Sequence, residues 1–139
     1  MPSRRRLARI VVMQTVFEQQ VREIDPAVSM ERNITEFGGP EHVDIAFSKD
    51  LLSGVAGQKD EICKSIQANA PQWPLERMDA ITRSILMIGA YELLFHEDVP
   101  PAVVMNEAIE IAKEYGTDES AKFVNGVLNA LAHARKKKE

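Results

Sequence analysis

The chain has 139 residues, with 17 Lys and Arg against 21 Asp and Glu and a single cysteine. That length suits one domain burying its own core, and a lone Cys63 excludes an internal disulfide and a CxxC zinc pair. No run approaches the ~20 apolar residues of a membrane span, and the arginines before Ile10-Val11-Val12-Met13 imitate a signal peptide only until Gln14 ends the apolar run.

A reducing, cytoplasmic setting is expected, with an Arg-rich organelle transit peptide as the alternative for the first residues. The net charge of −4 is unevenly spread. Residues 1–22 carry five Arg and one Glu, residues 132–139 carry four Lys or Arg and one Glu, and residues 23–131 carry eight basic and nineteen acidic side chains. Basic ends on an acidic body make one anion-binding patch if the ends meet in space. If they do not, they are a solvated head and tail. Charge alone leaves these two readings level.

Apolar residues recur at helical intervals in every long segment and nowhere alternate as in a half-buried strand, so an all-α chain of about six to seven helices is expected. In the first helix Ile10, Met13, Val16, Phe17 and Val21 form the inward stripe, the arginines crowd the first turns, and Asp25-Pro26 ends the element. A weaker segment from about Pro26 to Phe37 stops at Gly38-Gly39-Pro40, a turn by composition. From Asp44 to about Ala70, Phe47, Leu51, Val55, Ile62 and Ile66 mark one long or two abutting helices with a break near Gly57. Pro71 and Pro74 close that segment.

Leu75 to Phe95 is apolar on most faces from Ile81 onward, the pattern of a helix surrounded by others, with Ile85, Leu86, Ile88 and Leu93 expected in the core. Gly89 is costly in a helix and is read as admitting a close neighbour. Pro100-Pro101 opens the next helix, whose stripe is Val104, Ala108, Ile111, Ala112 and Tyr115, and Gly116 is expected to end it in a left-handed cap. Thr117 to Ser120 supply the cap and first turn of a last helix running to about Ala134. Residues 135–139 read as a basic disordered tail.

No pattern of enzyme chemistry emerges. His42, His96 and His133 lack metal-ligand spacing, and no nucleophile motif or phosphate loop is present. Neither a metal nor another cofactor is expected. Cys63 reads as a small core residue. Gly54-Val55-Ala56-Gly57 imitates a nucleotide-clamping GXXG loop but reads as helix interior and cap. His96-Glu97-Asp98 reads as a loop whose three side chains do not converge. On the last helix Lys122, Asn125, Asn129 and His133 share one face, open to bases and phosphates or to plain solvation. Phe123 is either core or a rim ring able to stack on a base, and Phe17 leans further toward core.

Three segments carry a family likeness: Arg83 to Phe95 (RSILMIGAYELLF), Asn106 to Lys113 (NEAIEIAK) and Lys122 to Leu128 (KFVNGVL), preceded by Arg4-Arg5-Arg6-Leu7-Ala8-Arg9. In their order and spacing the chain resembles the NusB family of bacterial antitermination factors. The resemblance implies two perpendicular helical subdomains in one unit, here residues 1–134, and binding of boxA-type single-stranded RNA with the small-subunit ribosomal protein NusE. Such a pair helps load an antitermination complex onto RNA polymerase during ribosomal RNA transcription.

Carried over by position, the resemblance implies an RNA surface of Arg5, Arg6, Arg9, Gln14, Phe17, Glu119, Lys122 and Phe123. Leu7 stands where members often have arginine, and Phe17 where they often have tyrosine. Thr82 replaces a glutamate that can pair with the partner protein, leaving Glu76 or Asp79 as substitutes in the partner surface. A homodimer is also expected among stand-alone members. The rival reading is a helical interaction module or homodimer without sequence-specific RNA binding.

Overall fold

A computed structural model describes residues 2–138, with side chains placed through Arg135. Seven α-helices follow in order: α1 Arg4–Val21, α2 Pro26–Glu36, α3 Ile45–Gly57, α4 Lys59–Ala68, α5 Ala80–Phe95, α6 Pro101–Tyr115 and α7 Asp118–Lys138. Short 3₁₀ turns lie at Gly39–Glu41 and Leu75–Arg77, and the described residues contain no strand.

Local chemistry starts these helices where the sequence indicates. The side chains of Ser3, Asp25, Asp44, Asp79 and Thr117 accept from backbone N–H groups in the first turns of α1, α2, α3, α5 and α7. Each such cap typically contributes ~1 kcal/mol. Between α2 and α3 the chain reverses through Gly38 and Gly39 at φ 102° and 77°, a backbone region that disfavours side chains. The reversal returns the chain to α1: Asp44 N donates to Arg4 O at 3.2 Å, and Arg4 Nη2 donates to Pro40 O at 3.0 Å.

Helix α5 lies at the centre, packed against α1, α3, α4, α6 and α7. Ile85, Leu86, Ile88 and Leu93 are all buried, as their near-continuous apolar run predicts. Close approaches fix its neighbours. A Cβ on Gly89 would lie 2.8 Å from Leu128 Cδ1 of α7, and one on Gly54 of α3 would lie 2.0 Å from Tyr91 Cζ.

Several sequence expectations are corrected. Val21 is 56% exposed because α1 ends there, beyond the reach of the core. Helix α5 starts at Ala80 rather than Leu75, behind the Asp79 cap. Gly116 is not left-handed: its φ is −117°, and a Cβ there would come within 2.9 Å of Ala112 O, so space rather than φ favours glycine. Cys63 is half-buried, not core, and burial raises its thiol pKa. Helix α7 continues past Ala134 to Lys138, with Arg135 donating to Leu93 O and pairing with Glu97 at 3.3 Å, so residues 135–138 of the expected tail are helical. Glu139 lies outside the described residues.

Candidate nucleic-acid interface

The arginines of α1 look alike in sequence but occupy different environments. At 100° per residue Arg5 and Arg9 share a face, and both guanidinium groups lie over the Phe47 ring, at 4.4 and 5.0 Å from its centroid. Arg5 is exposed. Arg9 is 4% exposed and points inward, where its Nε and Nη2 donate to the two carboxylate oxygens of buried Glu92 at 2.8 and 2.7 Å. Its Nη1 lies 4.0 Å from Glu107. A buried guanidinium survives desolvation only in such a paired, two-pronged arrangement.

Arg6 takes an intermediate course. Its Nε and Nη2 donate to Glu107 at 2.6 and 3.0 Å, a hydrogen bond that raises the Arg6 pKa, with Glu110 and Glu114 adding to it by charge. Arg9 therefore has no surface to offer a ligand as an expected RNA contact, and Arg6 must leave a carboxylate to do so. Arg5 is the freely presented cation of the three.

At the other end of the expected surface, Glu119 and Lys122 are exposed and Phe123 is half-buried. Lys122 borders a shallow groove with Ile109, Lys113 and Asn125, on the side of α6 that packs toward α7. Helix α6 therefore meets both ends of the expected surface, Glu107 bonding Arg6 and Ile109 and Lys113 lining the groove beside Lys122, with Glu110 and Glu114 adding negative charge near Arg6. Gln14 and Phe17 are half-buried on α1. Lys122, Asn125, Asn129 and His133 are all exposed on one face of α7, while Val124, Val127, Leu128 and Leu131 are buried beneath them.

Phe123 meets Trp73 edge to face, with centroids 5.9 Å apart and planes at 71°. The two rings border a groove of about 460 Å³ that also reaches Asp79, Thr82 and Glu119. Two expected partner residues are constrained here. Thr82 is 4% exposed, and its backbone N–H and hydroxyl both donate to the Asp79 carboxylate, at 2.8 and 2.7 Å. Asp79 is exposed but already engaged as the α5 cap, whereas Glu76 stands exposed in the preceding turn.

His96-Glu97-Asp98 is a loop, as its sequence indicates. Its three side chains do not converge, but His96 Nδ1 approaches Asp98 Oδ1 at 3.2 Å and its Nε2 meets Asp50 of α3, a pairing that the sequence did not disclose, while Glu97 pairs with Arg135. Sequence reasoning also missed Glu92, Glu107 and Trp73. For Glu92 a signal existed: an acid within an apolar run needs a buried cation. Nothing local announces the exposure of Trp73. Among the described residues no three or more His, Cys, Asp or Glu converge as a metal site, and no helix is long and apolar enough to cross a membrane.

The profile of the NusB family matches residues 4–133. The chain is similar to the transcription antitermination protein NusB of Bacillus licheniformis, 41% identical over 92% of this chain and 95% of that protein. It is also 41% identical to the protein of that name from Heliobacterium modesticaldum, over 92% of this chain, but spans only 62% of that longer relative. Its fold is similar to that of T. maritima NusB, with a TM-score of 0.81 at 32% identity and full coverage of both chains. A chain in a crystal structure of the antitermination factors NusB and NusE with double-stranded RNA shares the fold at a TM-score of 0.80, with 23% identity over 93% of this chain and 96% of that one.

Proposed function

The chain belongs to the NusB family, and on that premise we propose that it is a transcription antitermination factor binding boxA-type single-stranded RNA together with ribosomal protein NusE. The observation that carries this reading is the alignment of antitermination proteins over more than nine-tenths of the chain, at 41% identity. It acts as one helical unit, in the cytoplasm, within an antitermination complex on RNA polymerase that supports ribosomal RNA transcription. It performs no catalysis of its own.

In this reading the proposed RNA residues have unequal roles. Arg5 and Lys122 are exposed and meet phosphates directly, and Arg6 does so by exchanging Glu107 for a phosphate. Glu119 and Phe123 serve the bases, while Gln14 and Phe17 flank the strand on α1. Arg9, locked to Glu92, holds α1 in place as a positioning residue. The partner protein approaches along Glu76 and Asp79, with Thr82 acting beneath Asp79 through its hydroxyl.

Fluorescence anisotropy with a labelled boxA-type strand and a scrambled strand, each with and without NusE, tests the reading. Preferential binding of the boxA-type strand, strengthened by NusE, is the expected result. Equal binding of both strands with NusE present replaces it with the rival interaction module. Phe123→Ala should weaken RNA binding by ~1 to 3 kcal/mol if the ring stacks on a base. A loss confined to stability would return Phe123 to the core.

A further inference from the structure

Phe47 of α3 is 5% exposed, and its helical spacing to Leu51 would make it one more residue of the core. Its surroundings are polar for such a ring. The guanidinium carbons of Arg5 and Arg9 lie over it, at 4.4 and 5.0 Å from its centroid, and His96 meets it at 5.9 Å with planes at 76°. Asp50, one turn further along α3, bonds the same imidazole.

Backbone bonds set this ring beside Arg5. Asp44 N donates to Arg4 O at 3.2 Å, which joins the start of α3 to the residue before Arg5, and the Asp44 carboxylate accepts from Phe47 N at 3.0 Å. Arg4 Nη2 adds bonds to Pro40 O at 3.0 Å and Val43 O at 3.4 Å. The fold itself thereby registers Phe47 to Arg5.

The ring holds Arg5 by a different kind of contact from those of its neighbours. Glu107 accepts two hydrogen bonds from Arg6, and Glu92 accepts two from Arg9. Arg5 is exposed and makes no hydrogen bond or ion pair among the described residues, resting on Phe47 alone. A ring face attracts the cation without consuming its N–H groups, so this guanidinium keeps its five donors for an anion while its long side chain is already confined. We propose that Phe47 is a positioning residue for RNA binding, its ring holding Arg5 in the direction from which it donates to a strand phosphate. The inference rests on the RNA-binding reading above and assigns to it a residue too buried to touch the strand.

A double-mutant cycle on the full chain tests the assignment. Kd for a labelled boxA-type strand is measured by anisotropy with NusE present, at one fixed salt concentration because phosphate contacts are salt-dependent, and the urea midpoint of each variant is recorded. Phe47→Leu weakens binding roughly two- to fivefold, the scale of an exposed cation–π contact. In the Arg5→Ala background the same substitution has no further effect, since the two residues act through one contact. Phe47→Tyr, which keeps the ring face, loses much less than Phe47→Leu. Where Phe47→Leu does not stay folded, Phe47→Met carries the same comparison. Equal losses in both backgrounds return Phe47 to the core and overturn the proposal, as does an affinity unchanged by Phe47→Leu when Arg5 is present. Both results leave the RNA reading intact. Absence of boxA-preferring binding by the unaltered chain removes that parent reading, and the role of Phe47 with it.

Discussion

The start of α1 and the start of α7 both carry residues proposed to meet RNA, yet they treat polarity in opposite ways. At α1 two of the arginines are tied to acids of distant helices, Arg9 to Glu92 in the core and Arg6 to Glu107 at its edge. At α7 the charges of Glu119 and Lys122 are left exposed, and the aromatic rings of Trp73 and Phe123 meet at an open groove. The difference separates framework from contact surface. A cation inside a buried pair sets where helices sit, and an unpaired group on a rigid edge is available to a ligand.

The sharpest way to break this division is at Glu92. Removing the carboxylate strands Arg9 in the core, so Glu92→Ala should lower stability by ~3 to 5 kcal/mol, read as a fall in urea midpoint. Combining Arg9→Met with Glu92→Leu should restore most of it, since apolar replacements leave no charge uncompensated. If Glu92→Ala were silent, the pair would not be framework, and Arg9 would return to the set of RNA contacts.

The same pair marks what the sequence does and does not disclose. Helix positions, the break after Gly57, the buried run of α5 and the Thr117 cap follow from periodicity and local hydrogen bonding, which nearby residues determine. The environments of Arg9 and Arg6 do not, because their acidic partners lie 83 and 101 residues away and are met only through the packing of α1 against α5 and α6. The basic cluster is legible as a cluster. Its division into exposed and buried members depends on tertiary register. Trp73 illustrates the same limit: it is exposed in a loop whose backbone bonds the Gln67 side-chain amide at Trp73 O and Leu75 N, an arrangement that residue type alone does not disclose.

Packing under the α7 surface should give a smaller effect. Gly89→Leu forces a side chain against Leu128, where even a Cβ would lie 2.8 Å from Cδ1, and overpacking of this kind costs ~1 to 3 kcal/mol. An unchanged urea midpoint would show that α7 yields readily to α5, contrary to a rigid edge on which Phe123 is presented.

A milder contrast lies within α1 itself. Near its end Glu18 meets Arg32 and Arg22 at the surface, and hydrogen bonding from Arg32, then from Arg22 and Asn33, holds its pKa at about 2 against an ordinary 4.5. A lowered folded-state pKa means that this contribution is complete above the ordinary value and is lost as pH falls from about 4.5 toward 2. Glu18→Gln should therefore flatten that part of the acid unfolding curve, while costing no more than ~1 kcal/mol at neutral pH, as surface pairs do. An identical acid limb in the variant would place the acid sensitivity elsewhere.

The smallest expected effect separates the two kinds of arginine most directly. Three or four phosphate contacts by a single strand give a log-log salt slope of roughly −2 to −3, because each contact releases about 0.7 counterion. Arg5→Ala, which removes an exposed cation resting on Phe47, should flatten the slope by about 0.7 with little change in stability. Arg9→Ala should do the reverse, lowering stability while leaving the slope unaltered under conditions where the variant remains folded. If Arg9→Ala flattened the slope as much as Arg5→Ala, the Arg9–Glu92 pair would have to open when RNA binds. The buried and exposed ends of the cluster would then be two states of one surface rather than two separate roles.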